Sequence, residues 1–324
     1  MAASTFTRTA SAAATTSGRR LDVVGLGFSS VDYLGIVPRL PTIDEGAPLL
    51  DFTQQGGGPV AQALVALARL GAATGFVGRL GDDEAGQFMR RGLLEEGIDI
   101  SHLQIQRNAT SPQCIILVHQ PTGKRSICCT GGTAGPVADD SVDVDYVSSG
   151  RYLHLDGHSR PAAIRAARAA CERGVKVCLD VGSPGEHVAE LIDVSDIVVA
   201  GVRCAEGFAL DGHDYRAGAE AMLERGPEIV VVTLGEHGSY TKTRDQEFTC
   251  PSFRVPVVDT TGAGDVFHGG YIYGLLRGWD LFTVAEFASA CSALKCGKLG
   301  GRAGIPTLAA VESFLVSQGR PLPR

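Results

Sequence analysis

The chain lacks the features that mark several common protein classes. It has no apolar run long enough to cross a bilayer, so no membrane partner is expected. Basic residues are short as well: 29 Lys and Arg stand against 36 Asp and Glu, a net charge of −7. Nucleic-acid binding is driven by cationic neutralisation of phosphates, and this balance argues against it. A local cationic or amide-lined pocket for a small anion stays open. Nine cysteines occur, at 114, 128, 129, 171, 178, 204, 250, 291 and 296, with no CxxC pairs at metal-binding spacing. Several lie in apolar runs such as VKVCLD, so the expectation is reduced, buried thiols in a reducing compartment, with a structural zinc site as the alternative. There is no internal repeat. The one biased stretch is 1–20, rich in Ala, Ser and Thr, with Arg8, Arg19 and Arg20 and no acid. It reads as a disordered tail with a cytoplasmic location, or as an organellar transit peptide.

The remaining chain, 21–324, is long enough for a sizeable core, and 44% of the sequence is hydrophobic. From Leu21 onward, strand-like and helix-like segments alternate. LDVVGLG, TGFVG, RYLHLD, VKVCLD, DIVVAG and EIVVVTLG are nearly all apolar, as expected for parallel strands covered on both faces. Helices are expected from Pro59 to Gly71, from Asp83 to Glu96 and from Pro161 to Arg173. The alternation predicts an α/β fold with a doubly wound, mostly parallel sheet that binds ligands at the carboxyl ends of its strands. Two stretches break it, about 33–55 and 111–131. The second reads as a hairpin turning at PTGK. The two predict a small β-sheet lid that would exclude water. Read more plainly, they are surface hairpins.

The most informative segment is VVDTTGAGDVFHGGYIYGLLRG, Val257 to Gly278, where a small-residue turn opens a helix. The first amides of a helix have no internal partner and carry partial positive charge. Glycines let the amides of Gly262, Ala263 and Gly264 approach an anion closely. Asp265 sits just inside the first turn, placed to orient and deprotonate an attacking hydroxyl while the amides hold a transferring phosphoryl group. A helix start also favours the ionised carboxylate, making Asp265 a weak base, which a loose phosphoryl-transfer transition state tolerates. The structural alternative is a glycine-rich turn whose aspartate caps helix amides. GLGFSS, from Gly25, lacks the third glycine of a dinucleotide fingerprint, and Pro38 and Pro41 oppose the helix that fingerprint needs. GxxxxGK[ST] is absent, which excludes the usual P-loop.

DTTGAGD followed by an apolar helix resembles the second signature of the PfkB, or ribokinase-like, carbohydrate kinases. GGGPVAQALVALARLG with FVGRLGDDEAG resembles the first signature, VTLGEHGSY the nucleotide-side loop, and GGRAGIP the closing glycine loop. The resemblance implies a ribokinase-like α/β domain with a β lid, ATP as donor and a need for Mg²⁺. It implies Asp265 as catalytic base and Gly262, Ala263 and Gly264 as anion hole. Asp32, Gly57, Gly58 and Gln62 fall on the sugar side, and Thr233, Gly235 and Gly238 on the ATP side. Asp259, Thr261, Gly300 and Gly304 would line a monovalent-cation (K⁺) loop.

Two positions depart from the family pattern. Gln62 stands where an asparagine is usual, and Gly201 and Cys204 stand where an NxxE motif is expected. Mg²⁺ would then rely on ATP, on water and on a strand-end acid such as Asp180, with Asp259 a second candidate. DVFHGG and GGRAGIP resemble the sulfofructose kinase branch, whereas CIILVHQPTGKRSI and YLHLDGHS resemble ketohexokinase. Lys124, Arg125 and His158 are candidates for a sulfonate pocket, and Asp156 and His158 follow a strand end and are expected to face substrate. The expected substrate is sugar-like, a ketose first. A nucleoside kinase would need a base slot, for which Tyr33 and Phe52 are candidates. A binding protein that kept the fold without catalysis is the reading from another class. An exposed edge of the lid sheet suggests a homodimer.

Overall fold

The six apolar runs expected as strands form strands, and they lie side by side. The computed structural model describes residues 21–182, 188–210 and 212–323. The segment 1–20, read above as tail or leader, lies outside the described residues. The central sheet has eight strands in the order Glu247–Cys250, Ser239–Lys242, Ile229–Thr233, Ile197–Gly201, Lys176–Val181, Tyr152–Leu155, Val23–Leu26 and Thr74–Val77. The last six are mutually parallel, and the first two form an antiparallel edge. Parallel alignment brings the carboxyl ends of the six strands to one edge, where Gly27, Asp156, Gly201 and Thr233 lie.

Successive residues of a strand face opposite sides, so each strand feeds two cores. Val23, Phe76, Cys178 and Val199 pack with helices Pro59–Arg69, Ala263–Arg277 and Leu281–Lys295. Val24, Val77, Leu155 and Leu179 pack with helices Arg160–Glu172 and Tyr215–Leu223. Helix Ala263–Arg277 is held closely on both sides. A Cβ at Gly269 would lie 2.7 Å from the Ala63 carbonyl oxygen, and one at Gly270 would lie 2.9 Å from the Ala288 Cα. This packing fixes the start of the helix that carries Asp265.

A second sheet has four strands, ordered Asp51–Gly57, Ser30–Val37, Gln113–His119 and Arg125–Thr130. The last two form the hairpin expected around PTGK. One face, with Leu34, Ile116 and Val118, packs on Leu299 of the C-terminal glycine loop. The opposite face carries Phe52, Ile115 and Leu117 around an open apolar cavity of about 520 Å³. Cys114 and Cys129 are partners across this hairpin and form a disulfide, which corrects the expectation of nine reduced thiols. The sequence hid this pair because antiparallel register, not local spacing, sets two side chains opposite each other. Cys128 and Cys171 are exposed, also against expectation, whereas the other five free thiols are buried.

Candidate active site

Gly262 adopts φ 75°, the left-handed conformation that glycine favours, and so turns the chain into helix Ala263–Arg277. The amides of Gly262 and Gly264 have no protein acceptor among the described residues, whereas Ala263 N donates to Thr260 O at 3.2 Å. The expectation of three free amides is therefore corrected to exclude Ala263, whose N–H closes the turn itself. A Cβ at Gly264 would meet no atom within 4 Å, so this amide faces open space.

Asp265 accepts no hydrogen bond from the described residues and is partly exposed. Burial raises its pKa to about 7, with the Asp180 carboxylate pushing the same way and His268 and Arg125 opposing. The sequence argument from the helix dipole pointed to a weaker base; desolvation and a neighbouring acid outweigh it. His268 lies three residues on, hence on the same helix face. Its Nε2 is 3.2 Å from Asp180 Oδ1. Burial alone would raise Asp180, but the adjoining imidazolium of His268 holds it below the usual carboxylate range. Burial also disfavours the charge on His268, yet Asp180 and Asp265 raise its pKa. His154 stacks at a tilt 5.6 Å from His268; it is fully buried, and burial pushes its pKa down to about 4.

Asp32 is buried, with Ser30 Oγ donating to Oδ1 at 2.8 Å. Burial pushes its pKa up to about 6, against the Ser30 hydrogen bond and the charge of Arg302. A Cβ at Gly57 would lie 2.1 Å from an Asp32 oxygen, so only glycine fits beside this carboxylate. Gly58 has φ 96°, and a Cβ there would lie 2.4 Å from Phe28 O. Gln62 is buried with Oε1 unpartnered, and it reaches toward Gly262 and Gly301. Ser29 Oγ is likewise buried and unpartnered. Unsatisfied buried polar atoms are costly, so a cluster of them marks a place where a ligand supplies partners.

Other expected residues have their polar atoms engaged. The Asp156 carboxylate accepts from Phe28 N at 2.7 Å and from His158 N at 3.0 Å, tying two strand ends together. His158 stacks on Phe28 with ring centroids 4.6 Å apart and lies 3.2 Å from Asp156. The Asp259 carboxylate accepts from Thr261 N, Thr261 Oγ1 and Gly300 N at 2.7–2.8 Å. It is fully buried and spent on protein donors, which corrects its candidacy as a metal ligand. No group of three metal-binding side chains exists among the described residues. Asp180, the other acid considered for Mg²⁺, is partly buried near Asp265 and paired with His268. Thr233 lies at a strand end opposite Gly201, and Gly235 and Gly238 turn the chain at φ 60° and 93°.

The small sheet reaches this site. Thr260 N and Oγ1 both donate to Gly123 O in the hairpin turn, and Arg125 donates to Thr260 Oγ1 at 3.1 Å. Gln55 binds Leu299 O, Arg302 N and Ala303 N of the glycine loop. Sequence reasoning gave no role to Ser29, Gln55, His154, His268, Lys295 or Arg302. For His268 alone a signal existed, its helical spacing from Asp265.

Residues 21–308 match the pfkB family carbohydrate kinases. The chain is 31% identical over 295 residues to an ATP-dependent ribose-1-phosphate kinase of Halopiger xanaduensis, covering 90% of this chain and 97% of that one. It is 29% identical over 322 residues to a 5-dehydro-2-deoxygluconokinase of Clostridium perfringens, covering 92% and 93%. Arabidopsis thaliana ribokinase, solved with ribose and ATP, superposes with a TM-score of 0.79 at 25% identity, covering 92% of this chain and 99% of that one. With the glycine turn, the acid inside it and the strand-end edge all in place, the chain belongs to the pfkB family and is an ATP-dependent carbohydrate kinase.

Proposed function

We propose that the enzyme transfers the γ-phosphoryl group of ATP to a hydroxyl of a small sugar, a ketose first among candidates. The observation that carries this reading is Asp265, raised to about 7 beside the unpaired amides of Gly262 and Gly264. The substrate hydroxyl attacks the γ-phosphorus, its proton passes to the Asp265 carboxylate, and ADP leaves. The two amides hold the equatorial oxygens while charge redistributes. Asp32 and Gln62 offer acceptors to substrate hydroxyls, and Gly57 and Gly58 let the sugar approach the backbone. Asp156 and His158 shape the strand-end wall. Thr233, Gly235 and Gly238 line the ATP side, whereas Thr261 and Gly300, expected there as well, are buried with their donors held by the Asp259 carboxylate. Bound Mg²⁺ would neutralise phosphate charge, held mainly by ATP and water near Asp180.

The small sheet acts as a lid over this cleft. Asp32 and Tyr33 are neighbours on one strand and so face opposite sides, and Phe52 shares the side of Tyr33. Neither aromatic can wall a base above Asp32, which favours a sugar over a nucleoside. Their open apolar face suits a second copy of the chain, and a homodimer through the lid is the arrangement we propose.

The test is ATP turnover against fructose, ribose, ribose 1-phosphate, 5-dehydro-2-deoxygluconate and adenosine, with the product identified by ³¹P NMR. Phosphorylation of a sugar supports the reading. Preference for adenosine moves it to a nucleoside kinase, and ATP binding without turnover on any acceptor moves it to a binding protein.

A further inference from the structure

The family resemblance implies a monovalent-cation loop at Asp259, Thr261, Gly300 and Gly304, built from backbone carbonyls. The residues present do not suit a free ion, because a cation is already there. Lys295 ends helix Leu281–Lys295 with 0% of its surface exposed. Its Nζ donates to the backbone carbonyl oxygen of Asp259 at 2.7 Å. The side chain of the same Asp259 ties the Thr261 turn to Gly300, and its backbone N–H donates to Cys296 O at 3.2 Å. Asp259 is thus anchored through side chain, amide and carbonyl, and its carbonyl is the point where the ammonium enters. A Cβ at Gly304 would lie 2.1 Å from Lys295 O, so the glycine loop packs directly on the lysine backbone.

An alkali ion at this seam would need the Asp259 carbonyl that the ammonium holds. Two cations sharing one buried oxygen repel strongly, because little water screens them. A buried ammonium also needs an anion nearby, and the fully buried Asp259 carboxylate is one. Burial lowers the lysine's proton affinity, and Asp259 acts against that fall.

We propose that Lys295 replaces the dissociable monovalent cation: its tethered ammonium organises the Asp259–Gly264 turn and the 300–304 loop, and the enzyme needs no potassium. The activity consequence rests on the kinase reading above, but the site itself does not.

The deciding experiment has two independent arms. Crystals of the wild-type protein soaked in thallium(I), a scattering mimic of potassium, should show no anomalous peak at the Asp259 carbonyl. Initial rates in potassium-free and potassium-containing buffer should agree within about twofold. Lys295→Ala should create a thallium peak at the vacated place and become potassium-activated by about tenfold or more. A thallium peak at Asp259 in the wild-type protein overturns the inference, as does strong potassium activation of the wild-type enzyme. A folded Lys295→Ala protein at wild-type rate without potassium also overturns it. If the variant does not fold, the two wild-type measurements still decide. If no sugar is phosphorylated in any buffer, the kinase reading fails and the thallium arm still judges the cation.

Discussion

His268 Nε2 lies 3.2 Å from Asp180 Oδ1, and this pair stands beside Asp265. Burial and the Asp180 charge raise Asp265, His268 pulls it down, and the balance falls at about 7. A general base works best when its pKa lies near the working pH. Below that pKa the carboxyl is protonated and cannot accept the substrate proton. The pH profile of kcat/KM, which reports the free enzyme, should therefore fall on the acid side with a limb near 7. A profile flat down to about pH 5 would contradict this placement of Asp265.

The same pair gives a second expectation. Replacing His268 removes a cation that stabilises the Asp265 carboxylate and leaves Asp180 without its partner. In His268→Gln the acid limb should move to higher pH by about one unit. A loss of stability alone would lower expression without moving the limb, so the shift separates an electrostatic role from packing.

Asp265→Asn should lower kcat by about 10²–10⁴ while ATP affinity stays nearly unchanged. It also carries a stability prediction. The folded pKa of about 7 lies above the model-peptide value of 3.8, so folding takes up a proton between these limits. Stability linked to this group is greatest below the lower value and is lost as pH rises through the upper one. Asparagine never ionises. The variant should melt higher than the wild-type protein at about pH 8, and the gap should narrow as the pH falls toward about 4. Thermal melts at two pH values read this directly.

Sequence legibility followed locality. Each parallel strand announced itself as a nearly apolar run, because burial on both faces leaves few polar positions, His154 and Asp180 among them. The start of helix Ala263–Arg277 was legible because left-handed turns and bare amides require small residues in consecutive positions. Long-range contacts left no such trace. Nothing in CSALKCGK says that the Lys295 ammonium meets a carbonyl 36 residues earlier, or that Asp259 spends its carboxylate on Gly300. A lysine at a helix end reads as a complement to the helix dipole. The Cys114–Cys129 pair depended on register between strands. Even within the turn, nothing in the residue order shows that the Ala263 amide closes an i→i−3 turn on Thr260 O.

Asp32→Ala should raise KM for the sugar by about tenfold or more and leave KM for ATP nearly unchanged. Gly57→Ala should do the same without removing the carboxylate, because its Cβ would lie 2.1 Å from an Asp32 oxygen and push it aside. Steady-state kinetics with each substrate varied in turn checks both. An effect confined to ATP would move Asp32 out of the sugar site.

Phe52 is 56% exposed and Ile115 60%, on the lid face opposite Leu34 and Ile116. Exposed apolar side chains gathered around one cavity mark a surface that gains from being covered. If a second copy covers it, burying a carboxylate there without a partner is unfavourable. Phe52→Glu should therefore weaken the homodimer by about a hundredfold, ~3 kcal/mol, while the chain stays folded, since the side chain is largely in solvent in the monomer. Sedimentation should then report the 33.8 kDa chain mass for the variant and twice that mass for the wild-type protein. A wild-type protein that sediments at the single-chain mass at all practical concentrations would leave this face without its proposed partner.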